Sequence, residues 1–136
     1  MIVILILAFS IATYTDIKNH TIPIFIFPTV TLIHIICCYI NGEAVITSNE
    51  HWTIIKVVFI LYLLMALFFQ GGGGDIIMMT SLSILLKEDI LVIIIISHIL
   101  LGGYGLIRYF LKKENGEIPF TPFVFASYLL FFIGGN

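Results

Sequence analysis

The sequence predicts an all-α, polytopic membrane protein with about six transmembrane helices. Composition is the first reason: 60% of the 136 residues are hydrophobic and 10% are charged, whereas a soluble domain carries about 25% charged residues. The mean hydropathy of +1.17 points the same way. The third reason is patterning. Apolar runs of roughly helical length alternate with short polar breaks along the whole chain. In lipid, such runs must satisfy their backbone groups internally, as helices do.

Six segments follow, at roughly 1–17, 22–41, 53–70, 75–87, 90–111 and 120–134. The first has an apolar core with no basic residue before it and no convincing small-x-small cleavage site, so it reads as a retained span, not a signal peptide. "DIKNHT" separates it from the second, which Pro23 is expected to open, because a first-turn proline loses no hydrogen bond. Cys37 and Cys38 are adjacent there and read as buried free thiols. "NGEAVITSNEHW" precedes the third segment and "QGGGG" ends it. The fourth is short, about 20 Å against a hydrocarbon core of about 30 Å, and is expected to begin on the floor of a water-accessible depression. "KED" leads into the fifth, where Gly102, Gly103 and Gly105 are expected to allow close helix packing. "KKENGEIP" leads into the sixth. With no repeat or linker, residues 1–136 form one membrane-embedded domain. The net charge of −2 and the absence of any nucleic-acid motif leave no reason to expect a nucleic-acid partner.

Basic residues set the orientation. With the N-terminus outside, Lys18, Arg108, Lys112 and Lys113 lie on the cytoplasmic side, against Lys56 and Lys87 towards the other. Asp16, at the end of segment one, and Asp75, at the start of segment four, then share the cytoplasmic face. They are the acidic residues on that side flanked by apolar sequence, whereas Glu114 and Glu117 fall in a polar loop. Two carboxylates in one partly desolvated site do not ionise together readily and share a proton. Peptide hydrolysis by an aspartic pair needs that arrangement: one acid takes a proton from water while the other protonates the carbonyl oxygen.

Either aspartate alone has a plainer explanation, Asp75 as a helix N-cap and Asp16 as an interfacial residue ending a helix. One cap does not require four consecutive glycines, each costing roughly 0.5–1 kcal/mol in a helix. A glycine run is better suited to close approach of another backbone, such as an extended peptide.

Three stretches resemble the type IV prepilin peptidases, membrane aspartyl proteases of the G-x-G-D class. "DIKNHTIP" is similar to their first catalytic motif, through Asp16, Ile22 and Pro23. "GGGD" fits G-x-G-D through Gly72, Gly74 and Asp75, and "IPFTPFVFASYLL", from Ile118, resembles a late family segment. The resemblance implies Asp16 and Asp75 as the catalytic pair; Gly72, Gly73 and Gly74, which can approach an extended substrate backbone, and Pro23 are the expected substrate-binding residues. It implies type IV pilin-like precursors as substrates, from a pilus, secretion or DNA-uptake system, cut at the cytoplasmic face of the inner (plasma) membrane. No metal or other cofactor is expected. Two positions depart from the family pattern: Ile24 follows Pro23, and Ile77 stands where a lysine is frequent. The cytoplasmic insertion of longer members is missing, so the expectation is a minimal peptidase, with N-methylation and oligomeric state left open.

Opposed helix ends suggest roles. Asp75, at the positive end of segment four, is expected to be the base, and Asp16, at the negative end of segment one, the proton donor. His20, His34 and His98 read as interfacial or satisfied imidazoles, and Phe120, Phe123 and Phe125 as packing or lipid-facing rings. A small transporter or channel subunit using Asp16 and Asp75 as an ion or proton relay is the alternative. No inverted repeat supports it.

Overall fold

The computed structural model describes residues 2–46, 48–69, 72–111 and 118–134, with the Phe69 side chain left aside. Gln70, Gly71, Lys112, Lys113, Glu114 and Glu117 lie outside the described residues. The described chain is all-helical: α1 (Ile2–Asn19), α2 (Ile26–Ile40), α3 (Asn49–Phe69), α4 (Gly73–Leu86), α5 (Asp89–Phe110) and α6 (Thr121–Gly134). Helices α1, α3 and α5 are long and apolar enough to cross a membrane. The even-numbered helices are shorter, with 15, 14 and 14 residues, or ~21–22 Å at ~1.5 Å per residue. Leu7, Ile11, Ile60, Leu67, Ile95, Ile99 and many other large apolar side chains are exposed. Lipid suits such a surface and water does not. The chain is a membrane protein.

The outer helices each bury a narrow stripe. On α1 it is Leu5, Ala8, Phe9, Ala12 and Asp16, the 3–4 spacing of one helical face. On α3 it is His51, Ile55, Val58 and Tyr62. Helix α4 packs against α2, α3 and α5 and buries Met78, Met79, Ser81, Leu82 and Ser83 around its circumference, as a central helix must. Phe9 anchors the opposite side, edge-on to Phe27 at 5.2 Å and stacked on Phe125 at 5.3 Å. Phe123 packs on Tyr104 at 5.5 Å. These rings, with Phe120, are packing residues.

The helices run alternately up and down. At one end, α1 meets the start of α6 through Asp16 and Thr121, and the α1–α2 connection meets the start of α4 through Ile22 and Gly74. At the other end, His51 near the start of α3 bonds the Ser83 carbonyl near the end of α4 at 3.1 Å.

Helix boundaries depart from expectation where local chemistry outweighs hydropathy. Helix α2 begins at Ile26, not at Pro23. Pro23 instead opens a turn, its carbonyl accepting from Ile26 N–H at 3.2 Å, and Pro28 is the proline in the first turn of α2. Helix α3 begins at Asn49, four residues early, because Ser48 Oγ accepts the His51 N–H at 3.1 Å and caps it. Gly102, Gly103 and Gly105 do not mediate close packing: a Cβ at any of them would meet nothing within 4 Å. Their face of α5 is open.

Candidate active site

Asp16 and Asp75 come together at one end of the bundle, from helices that do not adjoin in sequence. Asp16 points inward because it continues the Leu5–Phe9–Ala12 stripe one turn further, and it is 6% exposed. Helix α1 does not stop there but runs on to Asn19, the Asp16 carbonyl accepting from His20 N–H at 2.9 Å. The carboxylate is therefore one turn inside the helix. Its Oδ2 accepts the backbone N–H of Thr121, the first residue of α6, at 2.9 Å. A helix start offers unpaired N–H donors and a partial positive charge, a natural seat for a carboxylate. Pro122 follows within that first turn, where its missing N–H costs nothing.

Asp75 is half-buried in the first turn of α4. It is not the helix cap. Gly72 holds that position, with no side-chain capping bond of its own, and Asp75 N–H itself bonds the Gly72 carbonyl at 3.0 Å. The Asp75 carboxylate accepts a hydrogen bond from the Gly72 backbone N–H, a reciprocal cap on the helix start, and also interacts electrostatically with Asp16.

The glycines divide. Gly74 lies against Ile22: a Cβ there would sit 3.1 Å from Ile22 Cβ and 3.4 Å from its carbonyl oxygen. Its close approach is to the protein's own α1–α2 connection. Ile22 precedes Pro23, which confines it to extended backbone and turns it towards α4. Gly73 is exposed and a Cβ there would meet nothing within 4 Å, while a Cβ at Gly72 would meet the Asp75 carboxylate at 3.8 Å and the Gly74 nitrogen at 4.0 Å. Gly72 and Gly73 therefore form the open edge of the site.

A step in the bundle frames this edge. His51 and Ser83 are tied at the far end. From there α3 runs another 18 residues to Phe69, ~27 Å, whereas α4 runs only 10 back to Gly73, ~15 Å. Helices packed side by side then leave the start of α4 ~12 Å short of the end of α3. Tyr62, seven residues before that end, is level with the first turn of α4. Its ring packs on Phe120 at 6.1 Å and His98 at 6.2 Å.

Tyr62 and Thr121 escaped sequence reasoning. Tyr62 is a single phenol in the aliphatic run "FILYLLM", and Thr121 acts through its backbone, which no residue type signals. The helix-end division of roles also loses its basis. It weighed only the negative end of α1, and α6 brings a positive end to the same carboxylate. His98 and His34 are engaged locally, His98 Nδ1 with the Ile94 carbonyl at 2.8 Å and the His34 ring with Cys38 Sγ at 3.6 Å. His20 ends α1 with a positive φ of 51°. Both cysteines are free thiols, but only Cys38 is buried as expected; its neighbour Cys37 projects from another face of α2 and is exposed. Among the described residues no group of three or more His, Cys, Asp or Glu side chains is placed to hold a metal ion.

No protein-family model matches the chain, and no curated protein or solved structure matches it.

Proposed function

We propose that this protein is a membrane aspartic endopeptidase of the prepilin-peptidase type, which removes the short leader from type IV pilin-like precursors. One observation carries the reading: Asp16 and Asp75 converge, electrostatically coupled, at the end of the bundle where the G-G-G-D stretch leaves an open edge. In this reading one carboxylate takes a proton from water as the water oxygen bonds to the scissile carbonyl carbon. The other acid gives its proton to the carbonyl oxygen. The tetrahedral diol then collapses: one hydroxyl returns its proton to the second carboxylate, the C–N bond breaks, and the amide nitrogen leaves with a proton returned by the first acid. With Oδ2 of Asp16 engaged by Thr121 N–H, its Oδ1 is the oxygen available to exchange protons.

Lys18 and Arg108 belong to the same end of the bundle as the acids, which supports a cytoplasmic orientation in an inner (plasma) membrane. A precursor carrying its leader and a hydrophobic helix reaches such a site from the bilayer, its extended leader junction passing over Gly72 and Gly73. Co-expression of a pilin-like precursor with the wild type, Asp16→Asn or Asp75→Asn tests the proposal on a gel. Wild type shortens the precursor and neither variant does. An unprocessed precursor with wild type, or processing by either variant, contradicts it.

A further inference from the structure

Five buried side-chain atoms have no hydrogen-bond partner among the described residues: Thr13 Oγ1, His51 Nδ1, Tyr62 OH, Thr80 Oγ1 and Thr121 Oγ1. Four are readily explained. Thr13 and Thr80 lie within helices, where a threonine hydroxyl turns towards carbonyls of the preceding turn, and Thr121, at the start of α6, holds Asp16 through its backbone N–H, not its hydroxyl. His51 already engages the Ser83 carbonyl through Nε2, and the other ring nitrogen of an imidazole does not have to donate. Tyr62 is different. Its hydroxyl stands at the end of a rigid ring and has no carbonyl of its own helix within reach.

The residue is 3% exposed, so water does not freely solvate that hydroxyl. Phenylalanine would fill the same space without burying an unpaired donor. The surroundings locate the residue. Tyr62 lies on the α4-facing stripe of α3, level with the turn that carries Asp75, and the two side chains interact electrostatically. Its ring packs on Phe120, the residue before the Thr121 N–H that holds Asp16. His98, on the other side, has its Nδ1 committed to Ile94. Tyr62 thus meets the Asp16 side of the site with its ring, through Phe120, and stands level with the turn of α4 that carries Asp75.

We propose that the Tyr62 hydroxyl is a substrate-binding donor, held ready to hydrogen-bond the carbonyl oxygen of the scissile peptide as negative charge develops on it. The proposal rests on the peptidase reading. It explains an unpaired buried donor at the edge of a carboxylate pair: the partner arrives with the substrate. A donor already fixed in place costs little reorganisation at the moment of reaction, which makes it effective where charge develops on the carbonyl oxygen.

The test is Tyr62→Phe, which deletes one oxygen atom, measured in proteoliposomes with a purified pilin-like precursor. Removing one such donor is expected to lower kcat by about 10²-fold, with KM changed less than about twofold and the melting temperature unchanged or raised. Cleavage by Tyr62→Phe at the wild-type kcat would overturn the proposal. So would a variant that loses cleavage together with its fold, which would make the hydroxyl a structural bond. Wild-type cleavage in the same preparation separates either result from failure of the peptidase reading itself.

Discussion

Replacing Gly74 with alanine places one methyl group where the start of α4 meets the α1–α2 connection. The new Cβ would lie 3.1 Å from Ile22 Cβ and 3.4 Å from the Ile22 oxygen, whereas comfortable carbon contacts lie at about 3.5–4.0 Å. Ile22 or the α4 start must therefore move by roughly 0.5 Å. Pro23 restricts the backbone of Ile22, so the strain is not relieved by simple rotation and passes to the spacing between the two helix ends that carry Asp16 and Asp75. Two terms oppose each other in stability. Helix propensity gains about 0.5–1 kcal/mol from Gly to Ala, and overpacking costs about 1–3 kcal/mol, leaving a net loss of about 0–2.5 kcal/mol. Activity responds more sharply. Since a ~1 Å misplacement costs about 10²-fold, half that shift lowers kcat by about tenfold in Gly74→Ala, and the branched Gly74→Val lowers it further in a protein that still folds. Gly73→Ala is the control. Its Cβ meets nothing within 4 Å, so it raises stability by about 0.5–1 kcal/mol and, if the precursor passes over that edge, raises KM. Thermal denaturation in detergent and precursor-cleavage kinetics read both quantities. Wild-type kcat in Gly74→Ala would refute the claim that the Gly74–Ile22 contact sets the spacing of the pair.

Thr121→Pro removes the N–H that holds Asp16 at a helix position that accepts proline. It should abolish most cleavage and cost about 1.5–3 kcal/mol, the value of a hydrogen bond to a charged group, whereas Thr121→Val, which keeps the N–H, should retain both in the same assays. Lys87 ends α4 at φ 53° and ψ −126°, a conformation that suits glycine. Lys87→Gly should therefore raise stability by about 1 kcal/mol and leave cleavage unchanged, since it lies at the end away from the acids. Gly102→Ala and Gly103→Ala, on the open face of α5, should each stabilise by about 0.5–1 kcal/mol in thermal denaturation, because propensity acts there without opposing contacts.

How much of this was legible in the sequence depends on which physical effect set each feature. Hydropathy dominates the existence of a span, and all six segments appear as helices near the expected places. Their ends are set by single bonds that hydropathy does not register, as with Ser48 capping α3 and Pro23 turning the chain before α2. Asp16 and Asp75 were legible because a carboxylate in an apolar run is costly enough to stand out. Tyr62 was not, since a tyrosine is common in membrane helices and only its unpartnered hydroxyl distinguishes it. The Thr121 contribution is a backbone group and leaves no trace in residue type. Glycine proved ambiguous for a related reason. Gly74 is required by a close neighbour and Gly102 is not, yet the letters are identical and only the surrounding packing separates them.

A double-mutant cycle on the two carboxylates is the most direct measurement. Purified wild type, Asp16→Asn, Asp75→Asn and the double variant would be compared for cleavage of a pilin-like precursor in proteoliposomes. Residues that act as one catalytic unit are non-additive, so each single variant should fall to the background rate and the double variant should be no worse than either. Substantial cleavage by one single variant, or losses that multiply in the double variant, would contradict the account.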